Sequence, residues 1–291
     1  AIAKEENLTA HQHKFLGSAP GTYVNATTCL ECHPNEAAEM RQSGHWNWQG
    51  TTANVVGFET EELGKNQIIN NFCIAIPSNE GRCTQCHPGY GYKDKTFDFN
   101  TNDAALDCLI CHDTTGTYKK DPKTAGNPVA GLDYVKIAAN VGKPGIANCG
   151  ACHFSAGGGD NVKKGDLGSP LKTATKDVDV HMGSVATGGQ GLACADCHKT
   201  VDHKIPGNQL QDSGRVACLD CHNTTEKPLS GAIHTSKHIA KIACQTCHVP
   251  TFSRQMPTKT HWDWSTAGDS MRTPVMDANG KPDYDKMKGD F

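Results

Sequence analysis

The chain has 291 residues, of which 36% are hydrophobic without counting Gly and 6% aromatic, lean beside ordinary globular domains, which run to roughly 45–50% apolar on a count that includes Gly. Its formal net charge of −3 supplies no basic field to attract nucleic acid, and no apolar run approaches the roughly 18–20 residues of a membrane-spanning helix. Side chains this poor in hydrocarbon must pack around something else, and 30 glycines with 14 prolines argue against long regular elements.

The first ten residues lack the charged-then-apolar plan of a secretory leader and fit a mature end left after cleavage. His11 and His13 follow. Cys29, Cys32 and His33 come next, with Pro34 opening a predicted helix over 35–42; that helix sets His45 at its far end. A second helix is predicted over 67–75, containing Cys73. Cys83, Cys86, His87 and Cys108, Cys111, His112 stand close together, and a helix is predicted over 133–140. Cys149, Cys152 and His153 precede a glycine tract at 157–159. That tract lacks the strand-and-helix setting of a phosphate-binding turn and reads as a loop. His181, in a polar stretch, leads to Cys194, Cys197 and His198, and His203 to Cys218, Cys221 and His222. A helix predicted over 233–246 puts His234 and His238 on one face, four apart, and runs into Cys244, Cys247 and His248. His261 lies beside Trp262 and Trp264.

Seven times, then, the chain reads Cys-x-x-Cys-His, and this uses fourteen of its fifteen cysteines. The spacing is the attachment signature of c-type haem. Two cysteines three apart lie on one side of a helical turn, where each thiol adds to one vinyl group. The histidine that follows turns its imidazole to the iron. Zinc knuckles need no histidine directly after the second cysteine. A thioredoxin-like motif would occur once, beside a βαβ unit, and a disulfide scaffold would not repeat one spacing. Haem also explains the lean composition, because porphyrin supplies the missing apolar bulk. The propionates of seven haems, set against the ferric cores, add roughly −7 to the charge, so redox partner proteins with basic patches would be attracted. The motif starts at 29, 83, 108, 149, 194, 218 and 244 follow no fixed interval, which excludes a tandem solenoid. One mainly α and irregular multihaem domain over 1–291 is expected, wrapped around a chain of haems.

Each iron takes a second axial ligand. Eight histidines lie outside the motifs: His11, His13, His45, His181, His203, His234, His238 and His261. Of His11 and His13, one is expected to ligate and the other not. Two imidazoles saturate an iron and lower its potential relative to His/Met ligation, which suits electron transfer.

Several segments resemble the octahaem tetrathionate reductase family of multihaem cytochromes. They are Thr27-Thr28-Cys29 through His45-Trp46-Asn47-Trp48, Asn70-Asn71-Phe72-Cys73, Gly89-Tyr90-Gly91-Tyr92 and Cys111-His112-Asp113-Thr114-Thr115-Gly116-Thr117-Tyr118. The stretch from Cys149 to Gly168, with Phe154, Gly157 to Asp160 and Lys163, is similar too. So are Cys247-His248-Val249-Pro250-Thr251-Phe252 and His261-Trp262-Asp263-Trp264. The resemblance implies a catalytic haem with a lysine axial ligand, matched by Lys163, and active-site residues at Cys73 and Asp160. The haem at Cys83, Cys86 and His87 is our expectation for the special one. The family carries eight haems, whereas this chain has seven motifs and stops at Phe291. Either the chain is shorter by nature or an eighth site lies in a further segment. With Lys163 on one iron, two spare histidines remain for that eighth haem or for a neighbouring subunit's haem.

Two functions follow as expectations for a periplasmic or extracellular protein. One is a reductase of a small inorganic sulfur or nitrogen oxo-compound such as tetrathionate, nitrite or hydroxylamine. The other is a non-catalytic extracellular conduit, a homo-oligomer or polymeric filament with haem contacts between subunits.

Overall fold

The structure is a computed structural model. It describes residues 8–67, 76–77, 79–154, 156, 159–160, 167–207, 216–222, 241–252, 257–258, 271, 273, 276–280 and 289–290. Its secondary structure is short helices and loops with little sheet. In chain order the elements are α1 (Ala10–Leu16), α2 (Ala26–Leu30), α3 (Glu36–Arg41), α4 (Gly44–Asn47), β1 (Gly50–Thr51), β2 (Glu62–Leu63), α5 (Glu80–Cys83), α6 (Leu109–His112), α7 (Tyr134–Ala139), α8 (Ile146–His153), α9 (Cys194–Cys197), α10 (Cys218–His222), α11 (Gln245–His248), β3 (Thr251–Phe252) and β4 (Gly289–Asp290). The strands form two separate antiparallel ribbons, β1 with β2 and β3 with β4.

Helices this brief do not hold themselves, since isolated helices below about 12–15 residues are marginal in water. Side-chain caps start several of them. Thr9 and Gln12 close a capping box on α1, Thr9 Oγ1 accepting from Gln12 N at 3.2 Å and Gln12 Oε1 from Thr9 N at 3.0 Å. Asn25 caps α2 at Thr27 N, Ser43 caps α4 at Trp46 N, and Asp133 caps α7 at Lys136 N. Each cap satisfies a backbone donor that the helix leaves open.

The predicted helix over 35–42 is α3, with Pro34 just outside it and Asn35 at the N-cap. His45 sits on a separate turn, α4, because Ser43 starts a new helix there. The helix predicted over 133–140 is α7. That over 67–75 lies almost wholly outside the described residues. Of the one over 233–246, residues 233–240 lie outside the described residues, 241–244 are not helical, and the helix begins at Gln245. The attachment spacing is itself helical, so it nucleates a turn at the motif without extending it backwards.

Contacts group the chain into two compact units, 1–152 with 193–215, and 153–192 with 216–291. In the first unit, α1 packs on α7. Phe15, Tyr23, Leu109, Tyr118, Ile137, Ala138 and Ala139 form one apolar cluster. Ala26, Ala37, Trp46, Ala105 and Leu106 form a second, and Trp48, Ile76 and Tyr92 a third. Trp46 is fully buried, and its indole N–H donates to the Phe99 carbonyl at 2.7 Å. Trp46→Ala should therefore cost the holoprotein about 3–5 kcal/mol. Guanidinium unfolding followed by tryptophan fluorescence would read this as a clear fall in midpoint.

Gly64 ends the β1–β2 ribbon where no side chain fits, because a Cβ there would lie 2.2 Å from the Trp48 carbonyl oxygen. In the second unit, a 3₁₀ turn over Ser169–Thr173 and another over Val185–Thr187 frame the loop that carries His181.

Candidate haem-binding and redox site

Each attachment motif lies on a single turn. His33 N–H donates to Cys29 O at 3.0 Å, His87 to Thr84 O at 2.9 Å and His112 to Cys108 O at 3.1 Å. His198 does so to Cys194 O at 2.9 Å and His248 to Cys244 O at 3.0 Å. Motifs four and six lie within α8 and α10.

Tertiary folding clusters the motif thiols. The neighbouring thiols of Cys29 and Cys108 act on one another, holding the pKa of Cys29 down and that of Cys108 up. Cys86 does the same with Cys152: its own pKa falls to about 6 and that of Cys152 rises. Burial, and then Cys194, pushes Cys149 up to about 11. Burial raises Cys111 to about 12. The thiol contacts thus join motif one to three, two to four and four to five. Proximity in sequence does not foretell this order.

Three histidines from outside the motifs face motif histidines. His11 and His33 have ring centroids 5.9 Å apart and planes 10° apart. His112 and His203 stand 6.4 Å apart, and His181 and His222 stand 6.0 Å apart. A metal–imidazole bond is about 2 Å long, so two imidazoles across one iron hold their centroids roughly 6 Å apart. The residues present fit haem c.

The hydrogen bonds support the fit. His112 Nδ1 lies 2.9 Å from the Gly142 carbonyl, and His203 Nδ1 lies 2.9 Å from Glu39 Oε2. A carbonyl and a carboxylate only accept, so Nδ1 carries the proton on both rings and Nε2 is left as the donor atom for metal. His203 also sits on a tight two-residue turn. Asp202 and His203 have φ of 48° and 59°, and Val201 pairs with Lys204. Positive φ at non-glycine residues is uncommon and clusters at functional positions. Glu39 is a residue that sequence reasoning missed, and no local signal marks it, since it lies 164 residues from His203.

His87 stands in different surroundings. It is fully buried, with Trp46, Trp48, Tyr92, Phe97 and Phe99 around its ring at centroid distances of 4.8 to 5.9 Å. Nε2 donates to the Trp46 carbonyl at 2.7 Å, and Nδ1 is buried without a partner. Burial pushes its pKa down to about 3, with the charges of Lys120, His45 and Lys65 adding to the effect. The ring is therefore neutral, and because its Nε2 carries the proton, the buried Nδ1 is the nitrogen left with a free lone pair, the reverse of His112 and His203.

Among the expected active-site residues, Asp160 accepts from Ser169 N at 2.9 Å and also from the Ser169 hydroxyl. Cys73, Lys163, His234, His238 and His261 lie outside the described residues. Among those residues, no helix is long and apolar enough to cross a membrane.

No family model matches the chain. It is 22% identical over 261 residues to an uncharacterised protein of Archaeoglobus fulgidus, covering 73% of this chain and 86% of that one. It is also similar to the crystal structure of an octahaem cytochrome c from Shewanella oneidensis, with 47% identity and a TM-score of 0.74. That match covers 91% of this chain, which spans 58% of the length of the octahaem protein. Attachment turns of this kind, histidine pairs at iron-spanning distance and close likeness to an octahaem relative together place the chain among the multihaem c-type cytochromes.

Proposed function

We propose that this cytochrome carries seven c-type haems and passes electrons among them to a site where a small sulfur or nitrogen oxo-compound is reduced. The observation that carries the electron-transfer part is the set of three imidazole pairs at iron-spanning distance. Two saturating imidazoles leave an iron closed to substrate and suited to outer-sphere transfer. Haem c, when bound, supplies one-electron iron chemistry.

The chain's own residues divide the work. His33 with His11, His112 with His203, and His222 with His181 would each supply two imidazoles to a haem iron. Of the neighbouring pair His11 and His13, His11 takes the ligand role. Glu39 fixes the tautomer of His203 and raises its basicity. The reductase part rests on the resemblance of Cys73, Asp160 and Lys163 to the octahaem tetrathionate reductases. Lys163 supplies an amine ligand at the reactive centre, and Cys73 contacts substrate. Asp160, oriented by Ser169, holds a proton or a water for the reduced product. The reaction consumes electrons in an oxidising compartment, periplasmic or extracellular, with redox proteins as donors.

Reduced-dye assays against tetrathionate, nitrite and hydroxylamine test this reading. Asp160→Asn should cost about 100-fold or more in kcat, while the reductive titration of the other haems stays unchanged. Full turnover in the Cys73→Ala and Lys163→Ala variants would defeat the reductase. Extended polymers in electron micrographs of the purified protein would then favour the conduit, in which a spare histidine ligates a neighbour's haem.

A further inference from the structure

One buried polar cluster has no part in attachment or in the substrate chemistry above. Lys120 and Asp107 form an ion pair with Nζ and Oδ2 3.2 Å apart and side chains 3% and 0% exposed. A buried charge pair is costly to assemble and adds little net stability, so its presence between attachment turns calls for a reason.

Both charged groups of the cluster are fully engaged. An ammonium has three donors, and Lys120 Nζ meets three acceptors: the His87 carbonyl at 2.5 Å, the Gly89 carbonyl at 2.8 Å and Asp107. A carboxylate accepts about four bonds. Asp107 takes four: Tyr118 Oη at 2.9 Å, Tyr90 Oη at 3.2 Å, Ile110 N at 3.1 Å and Lys120. Burial, with the charge of Asp107 acting next, holds both phenols well above their usual range, so they stay as donors. The network leaves each charge in place and gives it one orientation.

That orientation has a direction along the haem chain. The cation is hydrogen-bonded to the backbone of His87, the motif-two ligand. The anion immediately precedes Cys108 and accepts from Ile110 N in α6, the turn that carries motif three. A positive charge favours the reduced state of a nearby iron and a negative charge disfavours it, and low dielectric strengthens both effects. We propose that the Lys120–Asp107 pair is a fixed dipole that raises the reduction potential at the His87 haem and lowers it at the His112 haem. With haem c bound at both motifs, one electron would pass from the His112 site, oxidised by one electron, to the His87 site, reduced by one, with no proton exchanged at the pair. The proposal rests on haem attachment at these two motifs and holds whether the protein is a reductase or a conduit. Lys120 and Asp107 are positioning residues.

The test is spectropotentiometric titration of the holoprotein. In the neutral double variant Lys120→Met with Asp107→Asn, one component should move down and another up. Each should move by about tenfold in its equilibrium, ~59 mV for one electron. Lys120→Met alone should show the downward shift, and Lys120→Arg should restore it. Components that stay put, or that all move one way, would overturn the dipole. So would loss of bound haem in Lys120→Arg as well as in Lys120→Met, since that pattern belongs to a purely structural lysine.

Discussion

Chain produced where haem is not attached should give the far-ultraviolet circular-dichroism spectrum of a disordered polypeptide, with no cooperative melting. The described helices run from four to eight residues and the strands to two, too short to stand without tertiary packing. The apolar clusters available for that packing hold seven, five and three buried residues among the described part of the chain. A side chain such as Leu109 or Ile137 contributes about 1.5–3 kcal/mol on burial. Ordering each residue costs about 1–2 kcal/mol of backbone entropy alone. Among the described residues, clusters of this size do not offset the ordering of the residues they join, and the porphyrins are expected to supply the rest. His87 adds to the deficit, because its Nδ1 is buried and unpartnered, and an unmet polar atom costs about 1–3 kcal/mol. Folding and haem attachment are thus one process, as with small domains that are unfolded without their metal. A cooperative thermal transition in the haem-free chain would refute this account.

The second large effect is expected at the distal histidines. His203→Ala should convert the iron bound at His112 from low-spin to high-spin, leaving the thioether attachment intact. Electron paramagnetic resonance of the oxidised protein should then gain a high-spin ferric signal near one spin per molecule. The ring centroids 6.4 Å apart and the Glu39 hydrogen bond that directs Nε2 away from the carboxylate argue for this outcome. His11→Ala should act in the same way at His33, because those rings are 5.9 Å apart and nearly parallel. His13→Ala, two residues along α1, should leave the spectrum unchanged. Glu39→Gln should keep the iron low-spin while weakening its hold on His203, since loss of such an outer partner typically costs about 10–100-fold in metal affinity. Low-spin spectra in both His203→Ala and His11→Ala would sink the pairing.

The two predictions draw on different levels of organisation. The attachment turns were legible in the sequence because two thiols and an imidazole within five residues span one helical turn, whose geometry the backbone sets locally. The span of α7 was legible for a similar reason. Asp133 caps it, and Ile137, Ala138 and Ala139 are its buried residues. The helix expected to run into Cys244 shows the limit of such reading. Of its span, 233–240 lie outside the described residues, 241–244 are not helical, and the helix begins at Gln245 within the motif.

What the sequence by itself determined is the kind of cofactor: a Cys-x-x-Cys-His spacing, repeated seven times, that marks attachment of c-type haem. Only the tertiary structure decided which histidine stands opposite which, that Glu39 orients His203, and that Lys120 and Asp107 lie buried between the second and third attachment turns. Those relations join residues far apart along the chain, as many as 164 for Glu39 and His203. At such separations spacing carries no information, and burial, hydrogen bonding and charge choose the partner.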